Sequence, residues 1–331
     1  MSKTELIRAR VSFGAHEEYR VLLDSGLEWA AVPSGTLRAY GELPAVGDWV
    51  WVRPAGEFSG IIEVVEERKT AFVRKAAGRA HAAQCVAANV DLCFVICGLD
   101  GDFNPRRIER YLVLAWESRA RPVVVLNKSD ICPDLEAAVE AVRDVAGRAE
   151  VVAISALRSV EPLNDWLQDG LTAVLLGSSG AGKSTIAQSL TGSTLATAGV
   201  RERDSRGRHT TTARMLIAVP KGGWLIDTPG MRELGLLASE TSLDLGFSEI
   251  AAVAGQCRFT DCSHSEEPGC AVRQALEEGR IPSDRWTSYV KLQREARHHR
   301  LEADVSAQRA EKQRWKAIHK ANKRMHRERG H

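Results

Sequence analysis

The stretch Gly177-Ser178-Ser179-Gly180-Ala181-Gly182-Lys183-Ser184-Thr185 follows the apolar run Thr172-Ala173-Val174-Leu175-Leu176 and opens onto Ile186-Ala187-Gln188-Ser189-Leu190. It matches G-x-x-x-x-G-K-[ST] in the setting that gives the motif meaning, a strand before it and a helix after it. The glycines let backbone N–H groups turn inward around a β-phosphate at a helix N-terminus, and Lys183 brings a cation to the β- and γ-oxygens. Ser184 offers its hydroxyl to Mg2+. An α/β nucleotide-binding domain follows, but the loop does not separate adenine from guanine.

The base is read upstream, at Asn127-Lys128-Ser129-Asp130, which closes an apolar strand over 122–126. Strand ends are where an α/β sheet presents its ligand loops. Asp130 can accept from guanine N1–H and the 2-amino group, Asn127 can approach the O6/N7 edge, and the Lys128 stem can lie over the ring. Adenine lacks both donors, and an unpaired carboxylate costs roughly 1–3 kcal/mol. Alone, Asn-Lys-Ser-Asp also fits a polar turn. The next strand, over 151–154, ends in Ser155-Ala156-Leu157, where the Ala156 N–H can reach guanine O6. Two base-side loops beside a phosphate loop predict a GTP/GDP ligand and a hydrolase acting on the β–γ phosphoanhydride.

Downstream, Asp227-Thr228-Pro229-Gly230 follows Trp224-Leu225-Ile226, so Asp227 can hold a Mg2+ water and Gly230 can point an N–H at the γ-phosphate. Between lies Arg206-Gly207-Arg208-His209-Thr210-Thr211-Thr212, a polar loop from which Thr211, or Thr212 one register on, completes the Mg2+ shell. Met231 stands where many Ras-like GTPases carry the glutamine that positions water, and methionine cannot do that. His209 is the nearest candidate for the hydrolytic step, alongside Lys183; a lone loop histidine is equally read as an exposed spectator.

A Ras-like domain meets these motifs in the order phosphate loop, Thr switch, D-x-x-G, N-K-x-D, S-A. Here the guanine reader at 127 and the S-A pair at 155 come first, so the domain is circularly permuted.

The flanks have a different texture. Residues 1–78 show short alternating runs such as Val46-Gly47-Asp48-Trp49-Val50-Trp51-Val52, broken by Gly and Pro, which predict a small all-β barrel or sandwich. Barrels of this kind include RNA binders and many without that role. Residues 79–247 alternate apolar strands (89–98, 122–126, 151–154, 172–176, 215–219, 224–226) with helices over 104–119, capped by Asn104-Pro105, and 134–146, which predicts a mostly parallel sheet covered on both faces. Residues 248–331 hold a Cys/His knot and then a helical, basic stretch from 285. Residues 291–331 carry 13 Lys/Arg against 5 Asp/Glu, so the formal net charge of +2 conceals a basic tail of +8 on a body of −6. A solvated helix and an RNA-facing helix are both open readings, the second because Trp286, Tyr289 and Trp315 interleave with the cations.

Cys257-x4-Cys262-x-His264-x5-Cys270 supplies three thiolates and an imidazole within 14 residues, the donor set of a closed, structural zinc site. The other four cysteines, Cys85, Cys93, Cys97 and Cys132, lie among apolar residues and read as packed thiols. With 44% hydrophobic and 27% charged residues, an N-terminus charged from its third residue, and no apolar run near the roughly 18 residues of a membrane span, the expectation is a cytoplasmic, monomeric protein.

At this point the chain closely resembles the RsgA (YjeQ) family of ribosome small-subunit-dependent GTPases. The resemblance rests on N-K-S-D, S-A-L, G-S-S-G-A-G-K-S-T, G-R-H-T-T-T, D-T-P-G-M-R-E and the Cys/His segment from Cys257 to Cys270. It runs from about Leu43 to the basic tail and is weakest over the first 40 residues. It implies an N-terminal OB-fold, a permuted GTPase domain and a C-terminal zinc-binding domain. It also implies late maturation of the small (30S) ribosomal subunit through its rRNA, with slow GTP hydrolysis that the subunit stimulates, and a switch-loop histidine matching His209. A translation or stress regulator that binds the subunit without an assembly role is the second reading.

Overall fold

The structure, a computed structural model, describes residues 5–15, 18–75, 83–101, 103–168, 170–192, 214–227 and 238–301. The switch residues His209, Thr211, Thr212, Gly230 and Met231 and the tail with Trp315 lie outside the described residues.

The N-terminal strands are β1 (Ile7–Ala15), β2 (Glu18–Leu23), β3 (Glu28–Pro33), β4 (Trp49–Gly56) and β5 (Ser59–Val65), with helix α1 (Gly35–Tyr40) between β3 and β4. Their alternation turns Val21, Val50, Val52 and Ile62 inward, all fully buried, each such side chain contributing about 1.5–3 kcal/mol by leaving water. The pairing runs β1-β2-β3-β5-β4 and closes from β4 back onto β1, with β3 and β5 parallel and the other pairs antiparallel. This five-stranded barrel is the all-β unit expected from the alternating runs and the OB-fold that the family resemblance implies.

A hairpin of β6 (Ala71–Lys75) and β7 (Ala83–Ala88) leads out of the barrel and spans residue 78. The central sheet follows: β8 (Leu92–Gly98), α2 (Pro105–Glu117), β9 (Arg121–Asn127), α3 (Leu135–Ala146), β10 (Glu150–Ala153), α4 (Glu161–Asn164), β11 (Thr172–Gly177), α5 (Lys183–Thr191), β12 (Arg214–Ala218) and β13 (Trp224–Asp227). Its order is β10-β9-β8-β11-β13-β12, parallel except for β12 at the edge. Asn104 caps α2 as its sequence predicts, its side chain accepting from Arg106 N at 2.9 Å and Arg107 N at 3.3 Å. The helix stops at Glu117, two residues short of the expectation, because Arg119 turns into the left-handed region at φ 65°. One apolar cluster packs α2 and α3 on one sheet face, and a second packs α4 and α5 on the other.

Barrel and central domain share one sheet, because β1 also pairs with β12, Gly14 opposite Arg214. Gly47 wedges into the seam at φ 94°, where a Cβ would lie 2.1 Å from the Ala88 carbonyl oxygen. Beside it the buried Arg10 guanidinium donates to the carbonyls of Gly47 and Asn89 at 3.3 Å and to Thr172 Oγ1 at 2.8 Å. Burial pulls the Arg10 pKa below its ordinary value. The fully buried Asp48 accepts both Arg68 donors, at 2.8 and 2.7 Å, which keeps that charge paired.

The C-terminal part holds α6 (Glu240–Gly246), α7 (Ser248–Ala254), the Cys/His segment, α8 (Ala271–Glu277) and a helix over 283–301. Trp286 and Tyr289 are half-buried. Trp286 stacks on Tyr289 at 5.5 Å, Tyr289 meets Phe247 edge-on at 5.4 Å, and His264 meets Trp286 at 5.9 Å, so these rings bind the helix to the Cys/His segment and α7. Among the described residues no helix is long and apolar enough to cross a membrane.

Candidate functional site

The parallel strands β8, β9 and β11 end on the same edge of the sheet, and their last residues meet there. Gly98 is paired in register with Asn127, and Ile96 with both Val125 and Gly177. The permutation is thereby undone in space, since loops 50 residues apart in sequence become neighbours.

Asn127 joins them. Buried to 3% exposure, its Nδ2 donates to the Ala181 carbonyl at 2.9 Å and its Oδ1 accepts from Ala156 N at 2.9 Å. One side chain thus ties the guanine-reading loop to the phosphate loop and to the S-A loop. The Ala156 N–H, which the sequence assigns to guanine O6, is here given to Asn127. Gly182 explains the close approach, because at φ 97° a Cβ would stand 2.1 Å from Asn127 Nδ2.

The rest of the reader is set by local geometry. Lys128 sits in the left-handed region at φ 67° and ψ 34°, Ser129 N donates to the Ile154 carbonyl at 3.1 Å, and 129–131 form a short 3-10 turn. These contacts hold Asp130 beside Ser155, whose hydroxyl keeps the Asp130 carboxylate below its ordinary pKa. An ionised Asp130 is the form that accepts two hydrogen bonds from guanine. Leu157 next door is 84% exposed.

The phosphate loop spans β11 to α5. Ser179, Gly180 and Ser184 are exposed, Thr185 is half-buried, and Ala181 is buried against the sheet edge. The Lys183 ammonium folds back onto its own loop, donating to the Gly177 carbonyl at 2.8 Å and to the Ser178 carbonyl. It is therefore held in the concavity where a phosphate would sit. Asp227, at the end of β13 opposite Met215, is half-buried, and desolvation raises its pKa.

Cys257, Cys262, His264 and Cys270 converge as the sequence expects, with their ligand atoms all within 4.8 Å of one another. His264 reaches the cluster from a left-handed backbone at φ 60°, and Cys270 also caps α8, its Sγ accepting from Arg273 N at 3.4 Å. The cluster has the donors to hold a metal ion. Of the remaining cysteines, Cys93 and Cys97 are buried in β8 and Cys85 and Cys132 are half-buried, in keeping with packed thiols.

Two features of the site were not read from sequence. Lys128 forms an ion pair with Asp100 in the loop after β8, and a buried ionic cluster links α2 to the C-terminal helix. In that cluster Glu109, with no exposed side-chain surface, accepts from Arg106, from Arg285 at 2.6 Å and from Ser288. Arg285 also donates to Glu249 at 2.6 Å and to the Gly246 carbonyl at 2.9 Å. Apart from Arg106 and Glu109, an i,i+3 pair on α2, these partners lie far apart in sequence and only the fold brings them together.

The profile of the RsgA GTPase family matches residues 65–237. The small ribosomal subunit biogenesis GTPase RsgA of Opitutus terrae is 46% identical over 332 residues, covering 95% of this chain and 90% of that protein. The protein of the same name from Leptospira interrogans is 43% identical over 311 residues, covering 92% and 86%. Among solved structures, YjeQ from Thermotoga maritima superposes with a TM-score of 0.65 at 28% identity, covering 88% of this chain and 98% of that one. YloQ, described as a circularly permuted GTPase, shares the fold at a TM-score of 0.64 and 22% identity, covering 90% and 98%. Since the profile spans every nucleotide-site motif and the relatives extend over nearly the whole chain, this protein belongs to the RsgA GTPase family.

Proposed function

We propose that the chain binds GTP at the edge formed by β8, β9 and β11 and hydrolyses it to GDP during maturation of the small ribosomal subunit, as the names of its relatives indicate for them. The observation that carries the nucleotide reading is the double bond of Asn127, to Ala181 of the phosphate loop and to Ala156 of the S-A loop. A chance Asn-Lys-Ser-Asp turn would have no reason to be built into a phosphate cradle.

In this reading Asp130 reads the guanine edge with Asn127, Ser155 and Ala156, and Lys128 and Ser129 shape the base pocket. Gly177, Ser178, Ser179, Gly180, Ala181, Gly182, Lys183, Ser184 and Thr185 wrap the phosphates, with Gly230 at the γ-phosphate. Ser184, Asp227 and Thr211 or Thr212 hold the Mg2+ that accompanies the nucleotide; the ion supplies charge neutralisation at the β- and γ-oxygens. Lys183 is already held in the cradle by two carbonyls, which a phosphate would replace as its partners. With Met231 in the water-positioning place, hydrolysis falls to His209. Slow turnover by the isolated protein follows from having no glutamine there.

The metal at Cys257, Cys262, His264 and Cys270 is zinc. Tetrahedral zinc with Zn–S near 2.3 Å and Zn–N near 2.0–2.1 Å sets sulfur and nitrogen about 3.5 Å apart. His264 Nδ1 lies 3.5 Å from Cys257 Sγ and 3.6 Å from Cys270 Sγ. Four protein ligands make the ion structural. The division into a barrel (1–78), a permuted GTPase domain (79–247) and a zinc-binding domain with a basic tail (248–331) gives the rRNA two faces on either side of the switch. GTP binding orders the switch, hydrolysis releases the factor, and the protein works as a cytoplasmic monomer.

The test is GTP hydrolysis measured with and without purified small subunits. A rise of at least tenfold on adding subunits, and none with ATP, supports the proposal; an unchanged rate contradicts the ribosomal role while leaving the nucleotide site standing, roughly a 1.4 kcal/mol criterion.

A further inference from the structure

Asp100 belongs to none of the nucleotide motifs, yet its carboxylate is ion-paired with the Lys128 ammonium at the mouth of the site. Its position is fixed from three sides. Leu99 N donates to the Asn127 carbonyl at 2.8 Å, and Phe103 N donates to the Asp100 carbonyl at 3.0 Å, so the backbone on either side of Asp100 is tied down. The carboxylate folds back over Gly98, where a Cβ would come within 3.0 Å of Asp100 Oδ1 and 3.6 Å of Ala181 Cα. Both side chains of the pair are only 30% exposed, and Lys128 leaves β9 through a left-handed residue that aims it at this loop.

An ammonium on a four-carbon stem is a mobile group, and holding it still costs side-chain entropy that a ligand would otherwise have to supply on binding. Resting on the guanine-nucleotide reading above, we propose that Asp100 is a positioning residue that pre-sets Lys128, holding its ammonium so that the alkyl stem forms a fixed wall for the face of the guanine ring. The pair has a second consequence. Asp100 stands beside the phosphate loop, and while paired it presents little net charge to an anionic ligand. Without the Lys128 charge, the Asp100 carboxylate would lose this ion pair next to the phosphates.

The test is a double-mutant cycle read by GDP binding calorimetry on the full-length protein, using Asp100→Ala, Lys128→Met and the pair together. Asp100→Ala is expected to weaken GDP binding roughly five- to tenfold, a coupling of the usual size for contacting residues. Lys128→Met, which keeps the stem and removes the charge, should weaken it further. Adding Asp100→Ala to Lys128→Met should then cost nothing or recover affinity, because the ammonium that Asp100 positions is already gone and so is the negative charge beside the phosphates. Asp100→Asn has the same shape and keeps an acceptor for the ammonium, so it should fall between wild type and Asp100→Ala, and it guards against loss of fold in the alanine variant. An unchanged affinity in both Asp100 variants, or the same loss from Asp100→Ala with and without Lys128, overturns the proposal. Absence of GDP binding by the wild-type protein would instead overturn the nucleotide reading itself.

Discussion

Asn127 is where chemistry and architecture coincide, since the side chain proposed to read guanine also bonds two loops together. Asn127→Ala would leave the Ala181 carbonyl and the Ala156 N–H buried without partners, so it should lower unfolding free energy by about 2 kcal/mol in urea titrations, even with no nucleotide present. A variant as stable as wild type would reduce Asn127 to a ligand contact. Gly182→Ala makes a related case: its Cβ would stand 2.1 Å from Asn127 Nδ2, in a backbone conformation alanine resists. GDP affinity should drop more than about tenfold, read by the same calorimetry. Most of this site was legible because each motif is a contiguous run at a strand end. Asp100 was not, because its partner is 28 residues away and an isolated Asp in a turn has no signature. Nor could the sequence indicate that the Ala156 N–H serves Asn127 first.

At the scale of elements, α2 is the joint between the GTPase sheet and the C-terminal part. Its buried Glu109 neutralises Arg285, whose side chain is 4% exposed, and Arg285 in turn lies over the Phe247 ring at 4.3 Å. Removing Glu109 would leave Glu249 as the carboxylate partner of Arg285, and breaking a buried ion pair typically costs up to about 3–5 kcal/mol. Glu109→Ala should therefore undock the helix over 283–301, seen as faster amide exchange there and in α7 with the barrel unaffected; unaltered protection would mean the cluster holds nothing. The sequence placed a helical stretch from 285 onward, of which the described part is the helix over 283–301, and left its aromatic residues open to an RNA-facing role. The ring contacts of Trp286 and Tyr289 depend on His264 and Phe247, which only the folded segment sets against them. The strands and helices of the central domain were readable because burial on both faces leaves long apolar runs. The end of α2 was not, since Arg119 adopts a left-handed conformation that its residue type does not announce.

On the scale of the whole molecule, one continuous sheet runs from the barrel through β1 and β12 into the nucleotide-binding strands. β12 begins directly after the stretch that carries His209, Thr211 and Thr212 in sequence, so the barrel is hydrogen-bonded to the strand that leaves the expected switch. The C-terminal part with the Cys/His cluster joins through α2. Zinc removal by a chelator should unfold the segment from Cys257 to Cys270 and abolish subunit-stimulated hydrolysis, while GDP binding persists at near its original affinity, because among the described residues none of the four Cys/His ligands is hydrogen-bonded to the guanine-reading or phosphate loops. Simultaneous loss of GDP binding would mean the parts are not separable. What the permutation means physically is that motif order along the chain is free so long as the strand ends converge, and here they converge on Asn127. The most direct measurement is therefore calorimetric titration of the nucleotide-free protein with GDP and ADP side by side. The account expects GDP to bind at least about tenfold more tightly, the discrimination that Asp130 and Asn127 can supply; equal affinities would contradict it.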